Sequence, residues 1–313
     1  MSQEQPRVLD LFSGIGGLSW GFVKSGFAVT GVDISDHVGL AYTKFTGAKF
    51  LSRNLGKVLL HGDWKVVIGG PPCKPWSPVN QSKRIQKHRD YGLVERYFMQ
   101  VKYLVPEIFI LENVPAIGSD GGFLDKLKSL ENLGYSVSTT KVIYSDYGAA
   151  VSRRRLLAIG LRSGSAQKFI EDLKKDTRPS QILTNVIAEF RDLGKSSVPD
   201  HVWPNLRTIS KYADKYSSGK YGWRILKWDQ PSPSFGNVMK TYILPPDSDP
   251  LNPKTRVLSV LEVSRIMGFN HGFVFPEGLG VGERYQMLVD SVSPVFSEVL
   301  AEHVQKHLKE YRF

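Results

Sequence analysis

The 313-residue chain has a single cysteine, and that scarcity excludes more than any other feature. An intramolecular disulfide is impossible, and a zinc site built on several thiolates goes with it. A reducing, intracellular setting is expected. Long apolar runs are also missing: nothing approaches the roughly 20 residues of a membrane-spanning helix. The first residues are polar and lead straight into a strand, so neither secretion nor a membrane location is expected. Acidic residues are in short supply, with 30 Asp and Glu against 41 Lys and Arg and a net charge of +11. A positive field of that size favours polyanions, nucleic acid first. There are no internal repeats or low-complexity tracts. The length suits one large domain with a smaller one beside it.

The lone thiol ends the stretch Val66-Val67-Ile68-Gly69-Gly70-Pro71-Pro72-Cys73. β-Branched residues read as a buried strand, the glycines permit a sharp turn, and the prolines stiffen the chain leading into the thiol. Cys73 is therefore held at a strand's carboxyl end, the edge where ligands bind in open α/β sheets. A buried structural cysteine is the competing reading. Residues 74–90 carry Lys74, Lys83, Arg84, Lys87 and Arg89 and little apolar periodicity, as in an exposed basic loop.

Upstream, the strand Arg7-Val8-Leu9-Asp10-Leu11-Phe12 breaks into Ser13-Gly14-Ile15-Gly16-Gly17 before a helical pattern at Leu18. Free amides at a helix start suit an anionic group, although a plain tight turn has the same composition. A second strand ends on Asp33, 19 residues after Gly14, near the spacing at which an acid meets a ribose in nucleotide-binding units. The glycines do not follow Gly-x-Gly-x-x-Gly, so an adenosine cofactor other than a nicotinamide is expected. Further on, a helix over 94–104 precedes the strand Ile108-Phe109-Ile110-Leu111, which ends on Glu112-Asn113 at the same edge as Cys73. Burial there would favour the protonated carboxyl, whereas a solvated loop position would not. A strand pair over 135–143 and 156–160 flanks Arg153-Arg154-Arg155, with Arg153 and Arg155 alternating against Arg154.

After Gly160 the strand–helix rhythm fades. Residues 165–255 interleave Tyr212, Tyr216, Tyr221, Trp223, Trp228 and Phe235 with Arg207, Lys211, Lys215, Lys220, Arg224 and Lys240. Cations among aromatics suit phosphate and base contacts, and an irregular β core with surface lysines has the same pattern. Helices are expected over 256–269 and 292–308.

Taken in order, these stretches resemble the cytosine-5 DNA methyltransferases of prokaryotic restriction-modification systems. Phe12-Ser13-Gly14-Ile15-Gly16-Gly17 resembles that family's cofactor loop, and Gly70-Pro71-Pro72-Cys73 its nucleophile loop. Glu112-Asn113-Val114 resembles the acid motif, Arg153-Arg154-Arg155 the end of the arginine motif, and Arg256 to Phe269 the late helix that braces the recognition domain. The resemblance implies an α/β fold: a Rossmann-like, S-adenosylmethionine-dependent mixed sheet flanked by helices, with a smaller irregular, mainly β target-recognition domain. It implies a catalytic and cofactor domain over 1–164 completed by a C-terminal helix in 283–313, recognition over 165–255, and a bracing helix within 256–282.

The resemblance also implies roles. Cys73 adds to carbon 6 of a flipped-out cytosine, turning the ring into an enamine that attacks the methyl of S-adenosylmethionine. Glu112 serves ring nitrogen 3, Arg155 holds the carbonyl oxygen, and Arg153 supports the loop. For the cofactor, Phe12 packs on the adenine, Gly14, Gly16, Gly17 and Leu18 approach the methionine part, and Asp33 takes the ribose. Asn54 meets the adenine amino group, and Leu93 and Ser291 complete the walls. Lys74, Ser77, Lys83, Arg84, Arg89 and Arg224 contact double-stranded DNA, and Ser232-Pro233-Ser234-Phe235 falls in the target-reading region. A monomer, located in the cytoplasm with the nucleoid, and a cognate restriction endonuclease are further expectations.

The chain departs from the pattern at several places. Val151 stands for a glutamine, Ser152 for an arginine, Lys74 for a glutamine and Asn54 for an acid. The last motif, Gln-x-Gly-Asn-Ser-Val-Pro, is Met287-Leu288-Val289-Asp290-Ser291-Val292-Ser293. Two competitors are an RNA cytosine-5 methyltransferase, whose additional Cys-Phe-Thr element a one-cysteine chain lacks, and an inactive DNA-binding accessory protein.

Overall fold

Near-continuous runs of Val, Ile, Leu and Phe mark strands covered on both faces, and among the described residues seven strands form one sheet. The computed structural model describes residues 5–76, 88–206, 208–218, 222–269 and 272–311. The chain divides into two units. The first comprises Met1–Ile143, Arg154–Thr177 and Phe296–Phe313, and the second Tyr144–Arg153 and Arg178–Val295.

In the first unit the order is β1 (Arg7–Leu11), α1 (Gly17–Lys24), β2 (Ala28–Asp33), α2 (Asp36–Thr46), β3 (Lys49–Ser52) and β4 (Val66–Gly69). Next come α3 (Tyr91–Leu104), β5 (Ile108–Asn113), α4 (Gly121–Glu131) and β6 (Ser136–Ile143). After β7 (Val151–Ser152), which lies in the second unit, β8 (Arg154–Leu161) and α5 (Ala166–Lys175) complete this run. Strand order is β3-β2-β1-β4-β5-β8-β6. The first five are parallel, and β8 runs antiparallel to both β5 and β6. Chain order reverses between β1 and β4, which makes their carboxyl ends a topological switch point where ligands bind.

Packing fixes that edge. Tyr97, Phe98 and Val101 of α3 and Phe123, Leu127 and Leu130 of α4 close on Leu9, Leu11, Val67, Phe109 and Leu111 of the strands. Each such side chain contributes roughly 1.5–3 kcal/mol of burial. In β2, Gly31 is bare because Tyr42 fills its place: a Cβ there would lie 2.3 Å from the Tyr42 ring.

The second unit is mostly irregular. It holds α6 (Leu183–Ile187), α7 (Ala213–Ser218), β9 (Arg224–Ile225), β10 (Ser232–Pro233), β11 (Ile243–Leu244), α8 (Val260–Met267) and α9 (Val281–Asp290). Among the described residues its strands form two short parallel pairs, β10 with β7 and β11 with β9. Trp223 is buried among the rings of Tyr212, Tyr216 and Tyr242. Lys215 stands 4.0 Å from the Tyr212 ring centroid and 4.8 Å from that of Trp223. Tyr212, Tyr216, Trp223 and Tyr242 therefore form a small packed cluster with Lys215 against its rings.

Some boundaries differ from the sequence reading, each for a local reason. Residues 165–177 fall in the first unit, because Ser165 caps α5 and Phe169, Ile170 and Leu173 are buried there. The helix expected over 256–269 starts only at Val260. Ser259 accepts from the Glu262 amide while Glu262 accepts from the Ser259 amide, a capping box that ends the extended segment before it. Residues 144–153 fall in the second unit, where Ser232 donates its amide to Ala150. The last helix, α10, spans Pro294–Glu310 and starts on a proline preset for the first turn.

Candidate active site

The loop after β4 is anchored from below and behind. Gly69 touches β1 so closely that a Cβ would lie 2.5 Å from the Leu11 carbonyl oxygen. Asn113 Nδ2, at the end of β5, donates to the Pro71 carbonyl at 2.9 Å. The Trp76 amide donates to the Cys73 carbonyl at 3.0 Å, and the buried Trp76 indole donates to Asp120, which caps α4. Cys73 is thus held between three fixed points, and it is partly exposed.

Glu112 is buried next to this loop. A Cβ on Gly70 would lie 3.4 Å from Glu112 Oε2, in van der Waals contact, so the loop runs directly against the carboxylate. Arg155 Nε pairs with Glu112 Oε1 at 2.8 Å, with both side chains about one-tenth exposed. Strand register explains the pairing: β5 and β8 are antiparallel with Glu112 opposite Leu157, so Arg155 comes within reach on the same face. The sequence leaves burial of Glu112 open between two readings and carries no sign of this counter-ion. Charges so placed are costly unless paired, and each orients the other.

Arg153 belongs to the second unit. Its guanidinium donates to the carbonyls of Val289 and Phe235. Arg154 is exposed while its two neighbours are covered, as strand alternation requires.

At the carboxyl end of β1, Phe12 has a left-handed φ of 58° and Gly14 and Gly16 lie at 52° and 89°. A non-glycine in that region is strained. Gly16 is the N-cap of α1 and offers no side chain to its amides. Asp33 accepts from the Gly14 amide at 3.0 Å and the Ile34 amide at 2.7 Å. Burial pushes its carboxyl up, with those amides opposing.

Asp10 went unnoticed in the sequence reading, although an acid inside an apolar strand is itself a signal. It is 1% exposed and accepts from Ser19 Oγ at 2.6 Å, and Ser19 in turn meets the Tyr42 hydroxyl at 2.8 Å. Burial, against the Ser19 hydrogen bonds, raises Asp10 to about 7.

Asn54 Oδ1 accepts from the Gly56 amide at 3.0 Å, and a Cβ on Gly56 would lie 3.6 Å from Leu93. These two expected wall residues are therefore neighbours. Ser291 comes directly after α9 in the second unit and donates to the Val292 carbonyl. Lys74 is exposed, and Arg89 is exposed beside Asp90. Arg224 is exposed on β9. Ser77, Lys83 and Arg84 lie outside the described residues, as do Lys87, Arg207, Lys220 and Tyr221.

The family model for C-5 cytosine-specific DNA methylase matches residues 6–306. The chain belongs to that family. The type II methyltransferase M.NgoPII of Neisseria gonorrhoeae is 26% identical, over 97% of this chain and 96% of the relative. The type II methyltransferase M.MthTI of Methanothermobacter thermautotrophicus is 29% identical, over 96% and 98%. In fold, the chain is similar to the S. pombe Dnmt2 methyltransferase, with a TM-score of 0.74 at 19% identity over 99% of this chain and 100% of that one. The Entamoeba histolytica methyltransferase EhMeth gives 0.74 at 20% identity over 98% and 99%.

C-5 cytosine DNA methylases take their methyl group from S-adenosylmethionine, and the β1 edge fits such a group. Among the described residues, Asp10 Oδ1 in β1 and Ser13 Oγ in the loop that follows it are buried without a hydrogen-bond partner. Buried polar atoms of this kind call for a ligand or water to satisfy them. Among the described residues no cluster is placed to hold a metal ion, and no helix is long and apolar enough to cross a membrane.

Proposed function

We propose that this C-5 cytosine DNA methylase family member is an active DNA (cytosine-5-)-methyltransferase that works on a cytosine flipped out of duplex DNA. The observation that carries the reading is the buried Glu112–Arg155 ion pair beside the rigid Pro71–Cys73 turn. A thiolate at Cys73 adds to carbon 6 of the ring. Glu112 stands at ring nitrogen 3, where a hydrogen bond or proton stabilises the electron density that the addition creates. Arg155 fixes the Glu112 carboxylate through Nε, donates Nη1 to the Arg154 carbonyl at 2.7 Å, and would offer Nη2 to the cytosine carbonyl oxygen. Carbon 5, once it carries the transferred methyl group, gives its proton to water, and the electron pair left behind expels the thiolate and restores the ring.

S-Adenosylmethionine, when bound, supplies an electrophilic methyl group. Phe12, Gly14, Gly16, Gly17 and Leu18 would hold it at the β1 edge, with Asp33 at its ribose and Asn54 and Leu93 along the wall. Ser291 is a further proposed cofactor residue. In this reading the first unit is catalytic and cofactor-binding, and the second reads the target. Lys74, Ser77, Lys83, Arg84, Arg89 and Arg224 serve the phosphates, and a net charge of +11 supports a polyanionic partner. The type II relatives support a role beside a cognate restriction endonuclease, and a monomer acting in the cytoplasm, at the nucleoid, completes the proposal.

The test is covalent trapping. With cofactor and a DNA duplex carrying 5-fluorocytosine, the proton that must leave is replaced by fluorine, so the Cys73 adduct accumulates and survives denaturing electrophoresis. Cys73→Ser gives no adduct. An RNA of the same sequence is run in parallel. Trapping on RNA alone would transfer the activity to RNA, and trapping on neither would support the accessory-protein alternative.

A further inference from the structure

The second unit contains a segment fastened at several points whose role is not explained by packing alone. Residues 232–240 alternate in exposure: Ser232, Phe235 and Val238 are buried, while Ser234, Gly236, Met239 and Lys240 are exposed. At its start, β10 pairs with β7, and the Ser232 amide donates to the Ala150 carbonyl at 2.8 Å. Arg153 leaves the end of β7 and places its guanidinium between two backbone carbonyls, those of Phe235 in the segment and Val289 near the end of α9. Two residues further on, Asn237 Nδ2 donates to Gln286 Oε1 at 3.1 Å and to the Gly282 carbonyl at 3.3 Å. Gln286 Nε2 continues to Asp290 at 2.8 Å. Asn237 Oδ1 accepts from the Met239 amide at 3.0 Å, and its carbonyl accepts from Lys240 and Thr241, which closes the turn.

The segment is therefore bound along α9 at two places, by Arg153 near the carboxyl end of the helix and by Asn237 nearer its start. Arg153 is 6% exposed, and burying a guanidinium is costly unless its hydrogen bonds are met. A chain that needed only to cover apolar surface would meet that need more cheaply with a leucine. What the guanidinium adds is direction: a planar donor that fixes two carbonyls at once, and with them the register of the strip that shows Ser234, Met239 and Lys240 outward.

We propose that Arg153 and Asn237 are positioning residues that hold segment 232–240 against α9 as a DNA-reading strip, and so help to set which target is methylated. The inference rests on the methyltransferase reading above. It moves Arg153 from support of the catalytic loop to target selection, and it adds Asn237, which the sequence reading passed over. Ser234 and Lys240 would meet phosphates or base edges, and Met239 an apolar base surface.

The experiment measures steady-state methylation by full-length wild type, Arg153→Met, Arg153→Lys, Asn237→Ala and the Arg153→Met/Asn237→Ala double variant. Substrates are the preferred duplex, found first by sequencing DNA methylated by the wild type, and duplexes changed at single flanking positions. Arg153→Met and Asn237→Ala should each raise KM for the preferred duplex and lower discrimination by roughly tenfold, with a smaller fall in kcat. Arg153→Lys, which keeps one donor, should fall between. Because both residues hold one strip, the double variant should be no worse than the more severe single variant. Intact KM and discrimination with a collapsed kcat would make Arg153 a contact to the reacting base and overturn the proposal. Full additivity in the double variant would do so as well. A wild type that methylates no duplex would instead sink the underlying methyltransferase reading, and that outcome is distinct from either.

Discussion

The buried carboxyl of Asp10 in β1 makes the sharpest physical prediction. Asp10 has an ordinary value near 3.8 and is raised to about 7 by burial inside β1, with Ser19 pulling the other way. Asp33, also raised, lies close enough to oppose a second negative charge. Between these two values the folded chain holds a proton that the unfolded chain has released. Stability therefore falls as pH rises from about 4 to 7, and the loss persists above that window. The difference corresponds to on the order of 4 kcal/mol, an upper figure because Ser19 and local relaxation both soften it. Asp10→Asn removes the ionisation and keeps an oxygen for the Ser19 hydroxyl, worth about 1 kcal/mol. Urea unfolding of both proteins at half-unit steps from pH 4.5 to 8 tests this, since other titrating groups cancel in the difference. The variant should gain on the wild type with rising pH and be the more stable by about 2 kcal/mol or more at pH 8. Parallel curves across the whole range would refute the claim that the fold keeps Asp10 neutral.

Much of the sheet was legible because its strands are apolar throughout and its turns rich in glycine. Both signals are local, and both survive without tertiary knowledge. Gly70-Pro71-Pro72-Cys73 and Glu112 were legible for the same reason, each ending an unmistakable strand. Arg155 was legible as a cation in a motif, but its pairing with Glu112 depends on β8 running antiparallel to β5, a fact of register that composition does not carry. Asp10 was passed over because a strand reading counts apolar residues and treats one acid as noise, whereas its burial and its Ser19–Tyr42 chain arise only when α1 and α2 pack. The second unit was least legible. Two-residue strands leave no period to detect, and its order comes from scattered side-chain contacts such as Trp223 among tyrosines and Arg256 on Glu262.

The remaining predictions bear on the same contacts. Cys73→Ser should abolish methylation while leaving the unfolding free energy in urea within about 0.5 kcal/mol of wild type, since the thiol is partly exposed. Arg155→Ala breaks the buried ion pair with Glu112 and should cost about 3 kcal/mol in denaturant unfolding, along with a fall in adduct formation of roughly 100-fold or more, the size expected for a lost charge contact. Gly31→Ala puts a methyl into the Tyr42 ring and should cost about 1–3 kcal/mol, whereas Gly26→Ala, with open space but a φ of 83°, tests backbone strain alone and should cost about 1 kcal/mol. Glu262 provides the most informative contrast. It takes two hydrogen bonds from Arg256, at 2.6 and 2.7 Å, and one from the Ser259 amide at 2.7 Å, while being 1% exposed. Glu262→Gln keeps the cap but cannot answer a bidentate guanidinium, so it should lose most of what Arg256→Ala loses, and the double variant should be little worse than either. If the two losses add, Arg256 is held by Trp203, whose ring centroid lies 4.5 Å away, and not by the carboxylate.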